Sequence, residues 1–399
     1  MKTRKIILCV ICFCLLFLGS CGSINSNPPS GGTGDDYLNN SNNQSVNNSS
    51  SDNTSSNPDQ QYLTASAYND NDHYSYWQML VSNYSSFNVF SHYESFANFY
   101  TNNRIKITLP RNLDAVVTLI DDFGQVQYQS VPTKDGVCYL FPKVKQDSYQ
   151  INVKYHVNGQ VHSDNFTVTK DTNLLLNGDY VNHDVIDLMF VVDTTCSMND
   201  ELDYLKLEID NVINQVQNDN LNTIINVGIL LYRDIGSSYV TLYSDFTTDV
   251  NIQKEFLSDK YANEGGDFEE AIDIAYALSL IKNWQNDSTK IIVHIADAPA
   301  HDKDLESWYS SIKQMASKGI RIISVASSGI DKKTEYLFRA QSLLTNGTYV
   351  FLTDDSGYGN DHVDQTIEEQ QVVEYLSDCL ARLISGYHQG VFKDPIPFN

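Results

Sequence analysis

The sequence predicts a doubly wound α/β domain with a mostly parallel sheet, preceded by a smaller all-β sandwich. Three observations predict it. From about residue 184, continuous apolar runs such as "VIDLMFVVD" (185–193) alternate with helical periods. Unbroken apolar runs mark strands buried on both faces, as in a parallel sheet. From about 63 to 180 the runs are instead short and two-periodic, separated by Gly/Asn/Asp turns such as "DDFG", "TKDG" and "VNG", the pattern of a sandwich. The change of rhythm near 181 is the third observation, and it sets the boundary between bodies at 63–180 and 181–390, with 391–399 as a tail.

Taken in order, the chain opens with "MKTRK" and the apolar "IILCVICFCLLF", followed by "LGSC" (Leu18 to Cys21). A basic start, a short apolar stretch and small residues describe a secretory leader over 1–20, since a membrane-spanning helix wants about 20 apolar residues. The Leu-Gly-Ser-Cys ending resembles the lipobox of bacterial lipoproteins. That resemblance implies lipid on Cys21, an anchor to a membrane, and placement in a bacterial cell envelope. Residues 21–62 are Ser, Asn, Gly and Asp with almost nothing to bury. They read as a disordered tether, with a span on the order of 35 Å.

The chain carries 50 acidic against 26 basic residues, a formal net charge of −24. That disfavours nucleic acid as a partner and suits divalent cations. Beyond the leader and Cys21, only Cys138, Cys196 and Cys379 remain, so no disulfide framework is read from the sequence.

In the first body the strand runs are 104–109, 115–121, 125–131, 137–141, 149–157 and 160–168. An aromatic-rich stretch ahead of them (76–100) reads as a helix plus an edge segment serving a core. The pattern resembles immunoglobulin-like modules, and no residue in it asks for a chemical role. In the second body strands are predicted at 185–193, 225–234, 290–297, 320–327 and 348–353. Leu202, Leu205, Ile209, Val212 and Val216 step as one helix face, and Val372, Leu376, Cys379 and Leu383 make a second stripe.

In such sheets ligands bind at the carboxyl ends of the strands. There Asp193, Thr195 and Ser197 alternate between a strand and a helix. One carboxylate and two hydroxyls suit Mg²⁺, Ca²⁺ or Mn²⁺ rather than zinc or copper. Plain helix capping explains the same residues. Asp297 ends another apolar strand, "IIVHIAD", and a Gly-Gly-Asp loop precedes a helix at 265–267.

Residues from about 184 to 388 resemble a von Willebrand factor type A domain. Asp193–Thr195–Ser197 matches the family's Asp-x-Ser/Thr-x-Ser motif, and Asp297 its later aspartate. The resemblance implies a metal-ion-dependent adhesion site that holds one divalent cation, Mg²⁺ first. It also implies a protein or extracellular-matrix ligand that donates an oxygen to that cation. Two departures stand out. The loop Gly265-Gly266-Asp267 lies where many members have a metal-binding threonine, so Asp267 is expected in that place. Cys196 stands where glycine is common and reads as a small buried residue behind the loop. A carboxylate at 267 about 4 Å from an acidic ligand opposes it by roughly 4 kcal/mol, so Asp267 is expected to act through water or the partner's donor to be neutral.

The acidic loop 354–364 lacks an EF-hand register, and His294, His301 and His362 show no ligand spacing. No Gly-x-Ser-x-Gly, His-Glu-x-x-His or phosphate-cradling Gly-rich loop occurs, and the chain is expected not to be an enzyme. The function expected is a lipid-anchored adhesion protein acting through a cation held by Asp193, Thr195, Ser197, Asp267 and Asp297. The alternative is a metal-independent scaffold of a cell-envelope assembly.

Overall fold

The computed structural model describes residues 62–82, 88–181, 184–357 and 362–398. The predicted leader, Cys21 and nearly all of the tether lie outside the described residues. The described chain begins with strand β1 (Thr64–Tyr68) and helices α1 (Tyr74–Ser82) and α2 (Val89–Phe96). Asn88 caps α2, its side chain accepting from the Phe90 N–H at 3.0 Å.

Seven strands follow: β2 (Ile105–Thr108), β3 (Ala115–Ile120), β4 (Val126–Ser130), β5 (Val137–Leu140), β6 (Tyr149–Val157), β7 (Gln160–Val168) and β8 (Asp171–Asn173). They make two sheets, ordered β5-β2-β8 and β4-β3-β6-β7. Alternation along β6 points Tyr149, Ile151, Val153 and Tyr155 inward.

The remainder runs β9 (Val185–Asp193), α3 (Asn199–Asp219), β10 (Ile224–Tyr232), β11 (Thr241–Thr247), α4 (Val250–Ser258), α5 (Ile272–Leu280) and β12 (Thr289–Ala296). It continues with α6 (Leu305–Ser317), β13 (Ile320–Ala326), α7 (Lys332–Leu344), β14 (Tyr349–Thr353), β15 (Glu374–Tyr375) and α8 (Leu376–Gln389). One eight-stranded sheet results, in the order β11-β10-β9-β12-β13-β14-β1-β15. The five strands predicted from apolar runs are its parallel centre, and β11 and β1 flank them antiparallel.

Both faces of the sheet are covered. Leu188, Phe190 and Val192 of β9 pack into a cluster with Leu202, Leu205 and Ile209 of α3 and Leu380 and Leu383 of α8. Met189 and Val191 face the other way, into a cluster that takes in α5, α6, α7 and the sandwich interior. Residues on all sides of β9 are therefore apolar, which is why the run 188–192 reads as unbroken. Of the second predicted stripe, Leu376, Cys379 and Leu383 are buried on α8, whereas Val372 precedes the helix and is half-exposed.

The boundary expected at 63 is corrected. Strand β1 pairs with β14, Ser66 opposite Phe351, so the chain enters the large sheet first. It then leaves for the sandwich and returns at β9. The aromatic stretch is core as expected, but of the α/β body. Trp77 stacks on Tyr336 of α7 with ring centroids 5.7 Å apart, and Phe90 meets the same ring edge-on at 5.4 Å.

Arg339 of α7 pins this entry segment. Its guanidinium donates to both Asp70 oxygens at 2.6 and 3.0 Å and to Glu335 at 3.2 Å, with all three side chains at most 1% exposed. Burial pushes the Asp70 carboxyl up, and Arg339 opposes that shift. Arg339→Ala leaves Asp70 buried without its cation and Glu335 with Lys332 alone. A loss of about 3–5 kcal/mol in urea unfolding is expected, with Asp70→Asn in the same chain restoring part of it.

Candidate metal centre

Strand β9 delivers Asp193 to the carboxyl edge of the sheet. Thr194 extends the ladder by one step, its N–H and hydroxyl both donating to the Tyr232 carbonyl at 2.9 Å. The chain then folds back on itself. Both the N–H and the hydroxyl of Thr195 donate to Asp193 Oδ1, at 2.9 and 2.8 Å. A single turn over Cys196–Met198 leads into α3. Strand β12 runs parallel to β9, Ile295 opposite Val192, and so brings Asp297 to the same edge. The Ser197 hydroxyl bonds to Asp297.

A third loop closes over the first. Asn263 N–H donates to the Thr194 carbonyl at 3.1 Å, and Cys196 N–H to the Glu264 carbonyl at 3.0 Å. The approach needs Gly265, with φ +103°, where a Cβ would stand 3.3 Å from Thr195 Cβ. Arg233, almost wholly buried, locks the two loops. It donates to the Thr194 carbonyl (3.0 Å), Glu264 (2.9 Å) and the Tyr261 carbonyl (2.9 Å). Ser238 donates to Glu264 as well, and these bonds hold its carboxyl below the usual range.

The same loop then carries Glu270 inward. Its N–H donates to the Pro299 carbonyl at 2.9 Å and it bridges to Ala300, so it lies beside the Asp297 loop. Asp193, Asp297 and Glu270 are 0%, 5% and 2% exposed. Each has one buried oxygen without a hydrogen-bond partner among the described residues: Asp193 Oδ2, Asp297 Oδ1 and Glu270 Oε2. A buried carboxylate oxygen without a donor is costly. All three carboxyls are accordingly pushed up. Asp193 rises to about 7 through burial and then the charge of Asp297. Glu270 rises to about 9 through burial and then Asp193. Asp297 rises through burial, with Ser197 opposing.

Three buried carboxylates whose charges act on one another, with two hydroxyls beside them, offer oxygen donors of the kind a hard divalent cation takes. The acidic and histidine side chains whose ligand atoms lie within 4.8 Å of one another among the described residues are Asp234, Asp267 and His301. Thr195 and Ser197 hold Asp193 and Asp297 in orientation, and the exposed Ser197 marks the open side.

The structure brings together four of the five residues expected at the site. Asp267 is the exception. It is exposed on the rim, where a carboxylate oxygen of its own lies within 4.8 Å of ligand atoms of Asp234 and His301. Glu270, three residues on, is the buried carboxylate of this loop. Cys196 is half-buried rather than buried. His301 is held between Asp234 at 2.8 Å and Glu269 at 3.6 Å. Lys333 reaches Glu269 at 2.5 Å and Asp302 at 2.7 Å. His294 lies in the core between Tyr232 and Tyr276, and burial lowers it to about 3. In the acidic loop, His362 bonds Asp354 at 2.7 Å, and residues 358–361 lie outside the described residues. The signal for Glu270 was its place directly before the apolar start of α5.

Residues 187–359 match the family model described as von Willebrand factor A domain. The alpha-protein kinase vwkA of Dictyostelium discoideum is 27% identical over 169 residues, 41% of this chain and 27% of the kinase. A protein of Acanthamoeba polyphaga mimivirus, named as ariadne-like with a RING finger, is 33% identical over 124 residues. That match covers 31% of this chain and 12% of the viral protein, so the chain spans about a quarter or less of each relative. Among solved structures, the pilus adhesin SpaC from Lactobacillus rhamnosus GG in its open conformation aligns with a TM-score of 0.34 and 11% identity. The alignment covers 68% of this chain and 34% of the adhesin.

Without metal, stability should fall as pH rises. The unfolded chain releases carboxyl protons near about pH 4. The fold keeps those of Asp193 to about 7 and of Glu270 to about 9. The folded state therefore binds more protons in that window, and the slope of stability against pH is negative. Urea midpoints in chelator at about pH 5, 7 and 9 check this. Glu270→Gln, which removes one of three crowded charges, should raise the chelator midpoint above about pH 7 by about 1 kcal/mol and cut cation-induced stabilisation. Asp267→Asn should leave most of that stabilisation in place.

Proposed function

Because residues 187–359 form a von Willebrand factor A domain, we propose that the protein is an adhesion-type binding protein. It engages its partner through one divalent cation, Mg²⁺ first, with Ca²⁺ or Mn²⁺ as substitutes. Asp193, Asp297 and Glu270 hold the cation, with Thr195 and Ser197 beside it. The observation that carries this reading is the set of three buried carboxylate oxygens at one strand edge with no donor between them. Helix capping alone leaves these oxygens unexplained.

The partner in this reading is a protein or matrix ligand that supplies an oxygen to the cation's open position. Asp200 adds its charge near Asp297, Asp234 and Asp267 add theirs near Glu270, and Glu269 lies against His301. These acids draw cations in and oppose an anionic ligand, so the favoured donor is a carbonyl, a hydroxyl, or a carboxylate flanked by Lys or Arg. The N-terminal residues support export and a lipid anchor at Cys21. Together with the polar tether they describe a binding head displayed from a bacterial cell envelope. In this reading the site is a binding site rather than a catalytic one.

The test is thermal unfolding in chelator and then with Mg²⁺, Ca²⁺ or Mn²⁺. A cation at 100-fold its dissociation constant adds about 2.7 kcal/mol, on the order of 4 °C for a folded unit of this size. Asp193→Ala should abolish the shift. Retention of the labelled chain on a panel of immobilised matrix proteins should vanish in chelator and in the same variant. Retention that survives both would place the chain with metal-independent scaffolds.

A further inference from the structure

The opposite end of the sheet carries the reverse arrangement. A cavity of about 270 Å³ lies in the seam between the sandwich and the α/β body, lined from one side by Val131 and Lys134 and from the other by Lys290 and Arg321. Lys290 and Arg321 open β12 and β13, whose far ends lead to the metal centre. The two side chains belong to residues only 9% and 6% exposed. Among the described residues neither is held by a carboxylate. Lys290 Nζ donates to the carbonyls of Asn286 and Ser288 at 2.8 and 3.2 Å. Arg321 donates to the carbonyls of Gly319 and Val131 at 2.6 and 3.1 Å, and its buried Nε donates to nothing.

Nearby acids act on these cations without an ion pair to Lys290 or Arg321 among the described residues: Asp187 and then Asp287 on Lys290, Asp135 on Arg321, and Asp184 on Lys134. Asp187 lies opposite Lys290 in the sheet, but its two oxygens accept from Asn226, Gln285 N–H and Ser288. Asp114 lines the cavity and pairs with His156 at 2.5 Å. Asp287 lines it too, and is the smallest of the charges that act on Lys290. Burial lowers Lys134, Lys290 and Arg321 alike, and Arg321 lowers Lys290 further. Buried cations are ordinarily paired. A chain with 50 acids and 26 bases does not lack carboxylates to pair them with.

We propose that this cavity binds a small oxyanion of the phosphate class, either free phosphate or the phosphate of a small monoester. Two lysines and an arginine fork around one space suit a compact anion with more than one charge. The volume lies just below the range of pockets that take drug-sized ligands, and so holds a phosphate group with at most a small appendage. A bound anion would tie the Val131–Lys134 segment of the sandwich to the starts of β12 and β13.

Calorimetric titration of the whole chain, in chelator and at constant ionic strength, tests the proposal. Inorganic phosphate, glycerol 3-phosphate and succinate are the probes. Saturable binding of inorganic phosphate or glycerol 3-phosphate with a dissociation constant below about 1 mM is expected, and the tighter of the two identifies the source. Lys290→Gln and Arg321→Gln should weaken it at least about tenfold. The less buried Lys134→Gln, whose fold is checked by circular dichroism, should weaken it at least about threefold. Asp193→Ala should bind as wild type does, which separates this site from the metal centre. No saturation by either phosphate probe, equal binding of succinate, or undiminished binding in a folded Lys134→Gln chain would overturn the proposal.

Discussion

Sheet register forces carboxylates together, and much of the site follows from that constraint. Strands β9 and β12 are parallel neighbours whose partners run from Ile186 and Thr289 to Val192 and Ile295. With the register set by apolar packing on both faces, Asp193 and Asp297 must leave the sheet side by side. The one cation at hand does not resolve the repulsion. Arg233 gives its guanidinium to two backbone carbonyls and to Glu264, and it is the smallest of the influences on Asp193. The fold thus uses its arginine chiefly to fix loop positions.

That choice requires rigid loops, because a buried oxygen stays unsatisfied only where its loop cannot swing out to water. The three loops are cross-linked through the Thr194–Asn263, Cys196–Glu264 and Glu270–Pro299 backbone bonds. Behind them α7 is anchored at both ends of its polar face. Lys333 holds Glu269 and Asp302 near the rim, while Arg339 holds Asp70 of the entry segment. The entry segment joins the sheet through β1 before the chain makes the sandwich, so the sandwich is an insertion within the α/β body. Its interior is continuous with the α5–α7 side of the sheet.

The parallel centre of the sheet was legible because strands covered on both faces carry unbroken apolar runs, and β9 shows this from Leu188 to Val192, all buried. Flanking strands carry no such signal. β11 is at most half-buried along its length, β1 is the short "TASAY", and β15 has two residues. Each is a strand because a neighbour offers it an open edge, which is a tertiary fact. At the site, Asp193, Thr195, Ser197 and Asp297 were legible because strand ends fix their spacing. The position of Asp267 was less legible for the converse reason. It sits in a loop whose path depends on positive φ at Glu264 and Gly265, and three further residues turn the chain inward before Glu270 meets the other carboxylates.

The two ends of strand β12 show one rule applied with opposite signs. At one end each of three buried carboxylates has one oxygen without a donor; at the other, Lys290 and Arg321 lack a carboxylate partner among the described residues. They cannot relieve one another. The eight residues of β12 (Thr289–Ala296) separate them by about 26 Å at the rise of an extended strand. That is several Debye lengths in physiological salt, although the interior between them screens less than water. Each cluster therefore bears its own desolvation cost, and the remainder of the fold must carry both. Arg339 shows that this chain can pair buried charge internally when only structure is at stake. At the strand edge and in the seam it does not pair them in this way, and the proposed cation and oxyanion sites rest on that difference.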